Sequence, residues 1–211
     1  MNVKWLGRAC FLLESAEGLL ILTDPFDQTV GYPLPNITVD VVTVSHQHFD
    51  HNAVGLLPGH PVVVEGDGDH TVKGVTFQGI ATYHDNEQGA LRGPNTVSVF
   101  EVDGIRVCHL GDLGHTLSEK LVAVIGQVDL LLIPVGGTYT IDGDEAFQTV
   151  SDLKPRTVVP MHFKANERET RISGDEPFTR HFPDVQRADG LILDRNASSD
   201  RTNVVVLKPG L

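Results

Sequence analysis

The apolar positions change rhythm along the chain. Up to about residue 110 they fall in short runs broken by glycine, proline, asparagine and aspartate, the pattern of strands joined by turns. Ala9–Glu14 and Leu19–Thr23 flank Ala16-Glu17-Gly18 and predict a hairpin, with Asp24-Pro25 closing its second arm. Val39–Ser45 (VDVVTVS) is β-branched and nearly continuous, which predicts a strand buried on both faces. Asn52–Leu57 predicts one or two turns of helix, Pro61–Glu65 a strand, Gly66-Asp67-Gly68-Asp69 a turn, and Val72–Thr82 one or two strands. Thr96–Val102 alternates, and the Asp103-Gly104 pair before Ile105–Leu110 is a strong hairpin signal.

Beyond residue 110 a helical period enters. Ser118–Gly126 predicts a helix capped by Ser118 with Glu119, and Val128–Val135 a buried strand. Gly143–Leu153 predicts a second helix with Ala146, Phe147, Val150 and Leu153 on its apolar stripe. Asp142 or Asp144 would cap it, and Pro155 would stop it. Arg156–Met161 and Asn203–Leu207 are further strands, and no tandem repeat is present. Strands first, then strands alternating with helices, predict an α/β (α+β) single domain spanning 1–211, with two sheets packed face to face and helices outside.

Composition narrows the function. With 211 residues and 40% hydrophobic side chains, the chain can bury a real core. A formal net charge of −12 argues against a nucleic-acid partner and against an anionic membrane surface. No stretch approaches the ~20 apolar residues that span a bilayer. The N-terminus MNVKWLGRACFLLES lacks the apolar run of a signal peptide, so the expected compartment is the cytoplasm. Cys10 and Cys108, in apolar strand-like segments, read as reduced buried thiols.

The chemistry concentrates in Ser45-His46-Gln47-His48-Phe49-Asp50-His51, directly after a buried strand. Four possible ligands fall within six residues, and imidazole with carboxylate is a donor set that suits zinc. In an extended stretch His46 and His48 point the same way, and Asp50 shares their parity. His51 departs as the chain turns and can reach a second ion. The absence of cysteines in the motif argues against a closed structural zinc site.

This H-x-H-x-D-H string resembles the signature of the metallo-β-lactamase superfamily. Further elements match in order: Asp24 in Ile21-Leu22-Thr23-Asp24-Pro25-Phe26, His84 in Ala81-Thr82-Tyr83-His84, Asp112 in Leu110-Gly111-Asp112-Leu113 and His162 in Val159-Pro160-Met161-His162. The resemblance implies the four-layer αβ/βα sandwich with its site at one edge of the two sheets. It implies that His46, His48 and His84 hold one metal ion, that Asp50, His51 and His162 hold another, that Asp112 bridges them, and that Asp24 orients a ligand histidine. The cofactors expected are two divalent ions, zinc first, with manganese or iron as alternatives. Asp50 is the expected catalytic group, placed to orient the attacking water or take its proton.

The short form of the chain is most similar to the branch of small bacterial hydrolases that includes ascorbate-6-phosphate lactonase. That branch implies a small-molecule ester, lactone, amide or phosphoester as substrate. Two rival readings are an iron-dependent redox or dioxygenase enzyme of the same fold and a non-catalytic metal-binding module. His115, Lys164 and Arg92 are candidate substrate contacts. Gly136-Gly137 would let the backbone approach the metal site closely, His109 reads as structural, and His60, His70 and His181 as surface residues. The loops at 28–36, 86–95 and 166–177 would shape the pocket. Oligomeric state is not legible.

Overall fold

The structure is a computed structural model that describes residues 1–196 and 201–210. In chain order the strands are β1 (Asn2–Gly7), β2 (Cys10–Glu14), β3 (Leu20–Thr23), β4 (Val41–Val44), β5 (Val62–Glu65), β6 (Gly68–Val72), β7 (Val75–Tyr83), β8 (Pro94–Val102), β9 (Ile105–His109), β10 (Leu130–Pro134), β11 (Thr157–Met161), β12 (Val185–Ala188), β13 (Leu191–Ile192) and β14 (Asn203–Leu207). The helices are α1 (Glu119–Ile125), α2 (Gly143–Leu153) and α3 (Glu176–Thr179). No helix among the described residues is long and apolar enough to cross a membrane.

Two sheets form, ordered β13-β1-β2-β3-β4-β5 and β12-β14-β11-β10-β9-β8-β7-β6. Each is antiparallel on one side and parallel on the other. In the first, β1, β2 and β3 run antiparallel, and β4 and β5 continue parallel to β3. In the second, β6 to β9 form an antiparallel run, and β9, β10, β11 and β14 are parallel. Parallel neighbours need crossovers. The second sheet uses α1 between β9 and β10, and α2 between β10 and β11.

The period-2 alternation of the first sheet's strands sorts its side chains into two layers. Val3, Trp5, Phe11, Leu13, Ile21 and Val41 join the large core shared with the second sheet. Leu6, Cys10, Leu12, Leu22, Val42 and Val44 face a second cluster with Phe26, Val30, Tyr32, Val39 and Leu57. That outer layer is therefore made of loop segments and short 3-10 turns. On the other side, α2 presents Ala146, Val150 and Leu153 to the main core. Its start is fixed by a capping box, with Asp142 accepting from the backbone N–H of Asp144 and Glu145, and Glu145 accepting from the N–H of Asp142.

Several expectations shift in detail. The strand expected over 39–45 narrows to β4, all four residues buried. The helix expected over 52–57 is a three-residue 3-10 turn, Val54–Leu56, where Gly55 and the nearby Pro58 disfavour a longer helix. The turn expected at 66–69 already enters β6 at Gly68. Strands β1, β12 and β13 and helix α3 were not anticipated; β12 and β13 are short, only partly buried and carry no clear apolar period.

Candidate metal centre

The parallel strands end on one side of the sandwich, and the polar residues stand just past those ends. Asp24 follows β3, Ser45 to His51 follow β4, Asp112 follows β9 and His162 follows β11. His84 follows β7, whose direction matches that of β9 across the intervening β8. Ligands of open α/β sheets gather in this position, outside the carboxyl ends of the strands. Side chains separated by more than a hundred residues thus meet.

The meeting point is Asp112 Oδ2. It lies 3.2 Å from His51 Nε2, 3.2 Å from His84 Nε2, 3.3 Å from His162 Nε2 and 4.0 Å from His46 Nε2. His46 Nε2 is in turn 2.9 Å from His48 Nδ1, and Asp50 Oδ2 is 3.7 Å from His51 Nε2. Three overlapping groups, His46/His48/His84, His46/His51/Asp112 and Asp50/His51/His162, each offer ligand atoms within 4.8 Å of one another.

Partners on the far side of three rings, His46, His51 and His84, set their orientation. His51 Nδ1–H donates to Asp24 Oδ2 (2.9 Å) and His84 Nδ1–H to the Tyr139 carbonyl (3.0 Å). Ser45 Oγ donates to Asp24 Oδ2 (2.6 Å) and so accepts from His46 Nδ1–H (2.9 Å). Asp24 therefore orients two of the histidines, one directly and one through Ser45, and its other oxygen accepts the Ser45 backbone N–H. The Nε2 atoms of His46, His51 and His84 are left pointing inward, the arrangement metal-binding imidazoles require. His51 Nε2 and Asp112 Oδ1 are buried with no hydrogen-bond partner. Buried polar atoms are ordinarily paired, so these orphaned atoms within a set of imidazole nitrogens and carboxylates fit divalent cations.

Electrostatics agree. Burial, reinforced by the charge of His51, pushes His46 down to about 3, and burial with His84 lowers His48. Burial would lower His51 too, but the Asp112 and Asp50 carboxylates overcome it and raise this ring well above its ordinary value. Burial would raise Asp112, but His162 and His51 hold it well below the usual carboxylate range. Asp24 is lowered against its burial by its bond to His51. The centre thus concentrates proton-sharing between imidazoles and carboxylates that a cation would replace.

The backbone here is strained. Arg8, Asp24, Thr138 and His162 all have positive φ, 51°, 40°, 61° and 50°. Such conformations cost about 1–3 kcal/mol each and tend to cluster at functional sites. Gly136 meets its expected role: a Cβ there would come within 2.2 Å of the His162 carbonyl oxygen.

A cavity of about 340 Å³ opens over the cluster, with Arg8, His48, Phe49, Asp50, Arg92 and Tyr139 on its walls. Of the expected substrate contacts, Arg92 lines it. His115 and Lys164 do not: the His115 ring bonds the Tyr83 N–H and the Thr116 carbonyl, and Lys164 is exposed. A larger cleft of about 620 Å³, between Phe147 and Val204, lies away from this chemistry. His109 is buried and donates through Nε2 to the Ala9 carbonyl at 2.8 Å, a structural tie between the sheets. His181 pairs with Asp144 at 2.6 Å, and His60 is exposed.

Sequence reasoning missed several supporting residues. Buried Asn95 accepts the Asp112 N–H and donates to the Leu110 carbonyl and to Thr82 Oγ1, which fixes the Gly111-Asp112 turn. Its signal was a lone amide at the head of an apolar strand. Arg8 stands 3.4 Å from His162 Nε2, 3.7 Å from Asp50 Oδ2 and 3.4 Å from Glu169 Oε1. Buried Glu169 in turn accepts from Tyr32 OH (2.7 Å). Nothing local in the sequence marks these three as neighbours.

Residues 2–162 match the family described as Beta-lactamase superfamily domain. A Pyrococcus abyssi protein named UPF0173 metal-dependent hydrolase is 30% identical over 240 aligned residues, covering 100% of this chain and 97% of its own. A Carboxydothermus hydrogenoformans protein of the same name is 32% identical, over 77% of this chain and 84% of its own. The crystal structure of a Thermotoga maritima protein, described as a candidate Zn-dependent hydrolase of the metallo-β-lactamase superfamily, is 41% identical. It superposes with a TM-score of 0.83 over 98% of this chain and 99% of that one.

Proposed function

Since the chain belongs to the metallo-β-lactamase superfamily, we propose that it is a binuclear metal-dependent hydrolase of a small-molecule ester, lactone, amide or phosphoester. One observation carries this reading: Asp112 Oδ2 stands within 3.3 Å of imidazole nitrogens from two different donor groups, His84 on one side and His51 and His162 on the other. A single carboxylate so placed suits a bridge between two ions.

In this reading His46, His48 and His84 would hold one ion, Asp50, His51 and His162 the other, with Asp112 shared between them. A pair of divalent ions, zinc foremost, would supply an acidified water as nucleophile and a Lewis acid for the substrate's carbonyl or phosphoryl oxygen. The chain's own part is positioning and proton handling. Asp24 and Ser45 hold His51 and His46 in the tautomers that face inward, and Tyr139 does the same for His84. Asp50 Oδ2 lies beside the cluster at the cavity wall, where it would accept the proton of the attacking water. Arg8, braced by buried Glu169, keeps that carboxylate in place.

The test is a panel of aryl esters, lactones, anilides and phosphodiesters offered to the metal-loaded protein. The expected result is turnover of at least one class, abolished by a chelator and restored by zinc or manganese. No turnover in any class by protein of full metal content would contradict the proposal. Iron as the main metal, with visible absorption, would favour the redox alternative.

A further inference from the structure

The chain carries a net charge of −12, yet three arginines, Arg8, Arg92 and Arg171, face the one cavity over the metal centre. Their charges are not equivalent. Arg8 is balanced by Asp50 and Glu169. Arg92 and Arg171 are held instead by neutral groups. The Arg92 guanidinium lies over the Tyr139 ring, 4.9 Å from its centroid, and its Nη2 donates to the Thr138 carbonyl at 3.0 Å. The Arg171 guanidinium stands beside Tyr139 on the same cavity wall.

Tyr139 thus links both arginines to the centre, because its carbonyl takes the His84 Nδ1–H. The Arg92 backbone is fixed as well. Asp85, the residue after His84, accepts the N–H groups of Glu87, Gly89, Leu91 and Arg92, which fastens the whole loop. A guanidinium has five N–H donors in a rigid fork that matches carboxylate and phosphate oxygens. Stacking and one carbonyl leave most of those donors of Arg92 free. Arg92 also lines an adjoining groove of about 490 Å³ that shares His48 with the cavity, so it stands where a substrate would extend away from the metal ions.

We propose that the substrate carries a second, non-reacting oxyanion, a carboxylate or a phosphate, and that Arg92 and Arg171, mounted on Tyr139, bind it beside the metal centre. This rests on the hydrolase reading only for the identity of the reacting group; the anion contact stands on the arginines themselves.

The test compares three 4-nitrophenyl esters of similar length: the neutral butyrate, the hemisuccinate with its terminal carboxylate, and the 3-phosphonopropionate. Wild type, the Arg92→Met/Arg171→Met double variant and Arg180→Met are assayed at equal metal content. Arg180 pairs with Asp144 on the surface and controls for a general loss of positive charge. The expected result is a kcat/KM for one anionic ester about tenfold or more above that of the butyrate, as charge-assisted contacts give. This ratio should collapse toward one in the double variant and persist in Arg180→Met. Whichever anionic ester leads identifies carboxylate or phosphate as the group bound.

Calorimetric titration with methylphosphonate and with acetate reads the same contact without turnover. At least one probe should bind about tenfold more weakly to the double variant than to Arg180→Met. Equal affinities in those two proteins for both probes would overturn the proposal whatever the kinetics. If no ester is turned over while the affinity still falls tenfold, the anion contact stands and the hydrolase reading is the one that fails for esters.

Discussion

The donors at the bottom of the cavity and the arginines at its rim face the same space but are held by different means. The donors sit just past strand ends, nearly all buried, and the rings of His46, His51 and His84 are tied from behind by a hydroxyl, a carboxylate and a carbonyl. Arg92 and Arg171 are partly or fully exposed, stand on loops, and lean on one tyrosine. A deep set fixed by sheet geometry can keep its chemistry constant, whereas a loop-borne rim can change with little cost to the core.

The largest effect is expected at the bottom. Asp112→Asn removes the charge shared by the surrounding imidazoles and should lower both metal content and hydrolysis by more than about a hundredfold, beyond what outer partners are worth; metal analysis and kinetics check it. Asp24→Asn should cost about ten- to a hundredfold in metal affinity, because it loosens His51 and His46 together. Competition with a chelator measures it, and wild-type affinity would sever Asp24 from the centre.

Gly136→Ala probes the strand-end geometry itself. Its Cβ would press on the His162 carbonyl, so stability should fall by about 1–3 kcal/mol in urea unfolding. At the rim, Arg92→Met alone should leave metal content at the wild-type level and change KM for an anionic substrate by up to about tenfold. A loss of metal in that variant would erase the distinction between bottom and rim.

The smallest effect lies far from both. Burial raises Cys10 well above an ordinary thiol, and raises Cys108 to about 12. Near pH 9, where an unfolded thiol begins to ionise, the folded thiols stay protonated. They should resist a thiol-labelling reagent until the protein unfolds. Both contributions are intact below pH 9 and fall as pH rises above it, that of Cys108 up to about 12, because only the unfolded chain releases its protons there.

The same contrast explains what could be read from the sequence. His46, His48, Asp50 and His51 lie within six residues, so spacing alone suggests a site, and Asp24, His84, Asp112 and His162 each close an apolar strand. The structure brings all eight together because strand ends are where a parallel sheet gathers its loops. The strands β2 to β4, the β8–β9 hairpin and helix α2 were legible from periodicity and turn chemistry for the same local reason.

Arg8, Asn95, Tyr139, Glu169 and Arg171 were not. Each acts through a partner distant in sequence, as Asn95 does through Asp112 and Glu169 through Arg8. His115 and Lys164, near ligand candidates in sequence, are turned away from the cavity by their own loops. Proximity along the chain places a side chain near a site only when the backbone between is a strand end.

The most direct test of the central claim is the metal content of the purified protein by plasma mass spectrometry, beside a His48→Ala variant. The expected result is about two equivalents of a divalent metal such as zinc per chain, as a two-metal site requires, with a clear loss in the variant. A protein that holds no metal after incubation with zinc, or a variant that binds as much as the wild type, would contradict it.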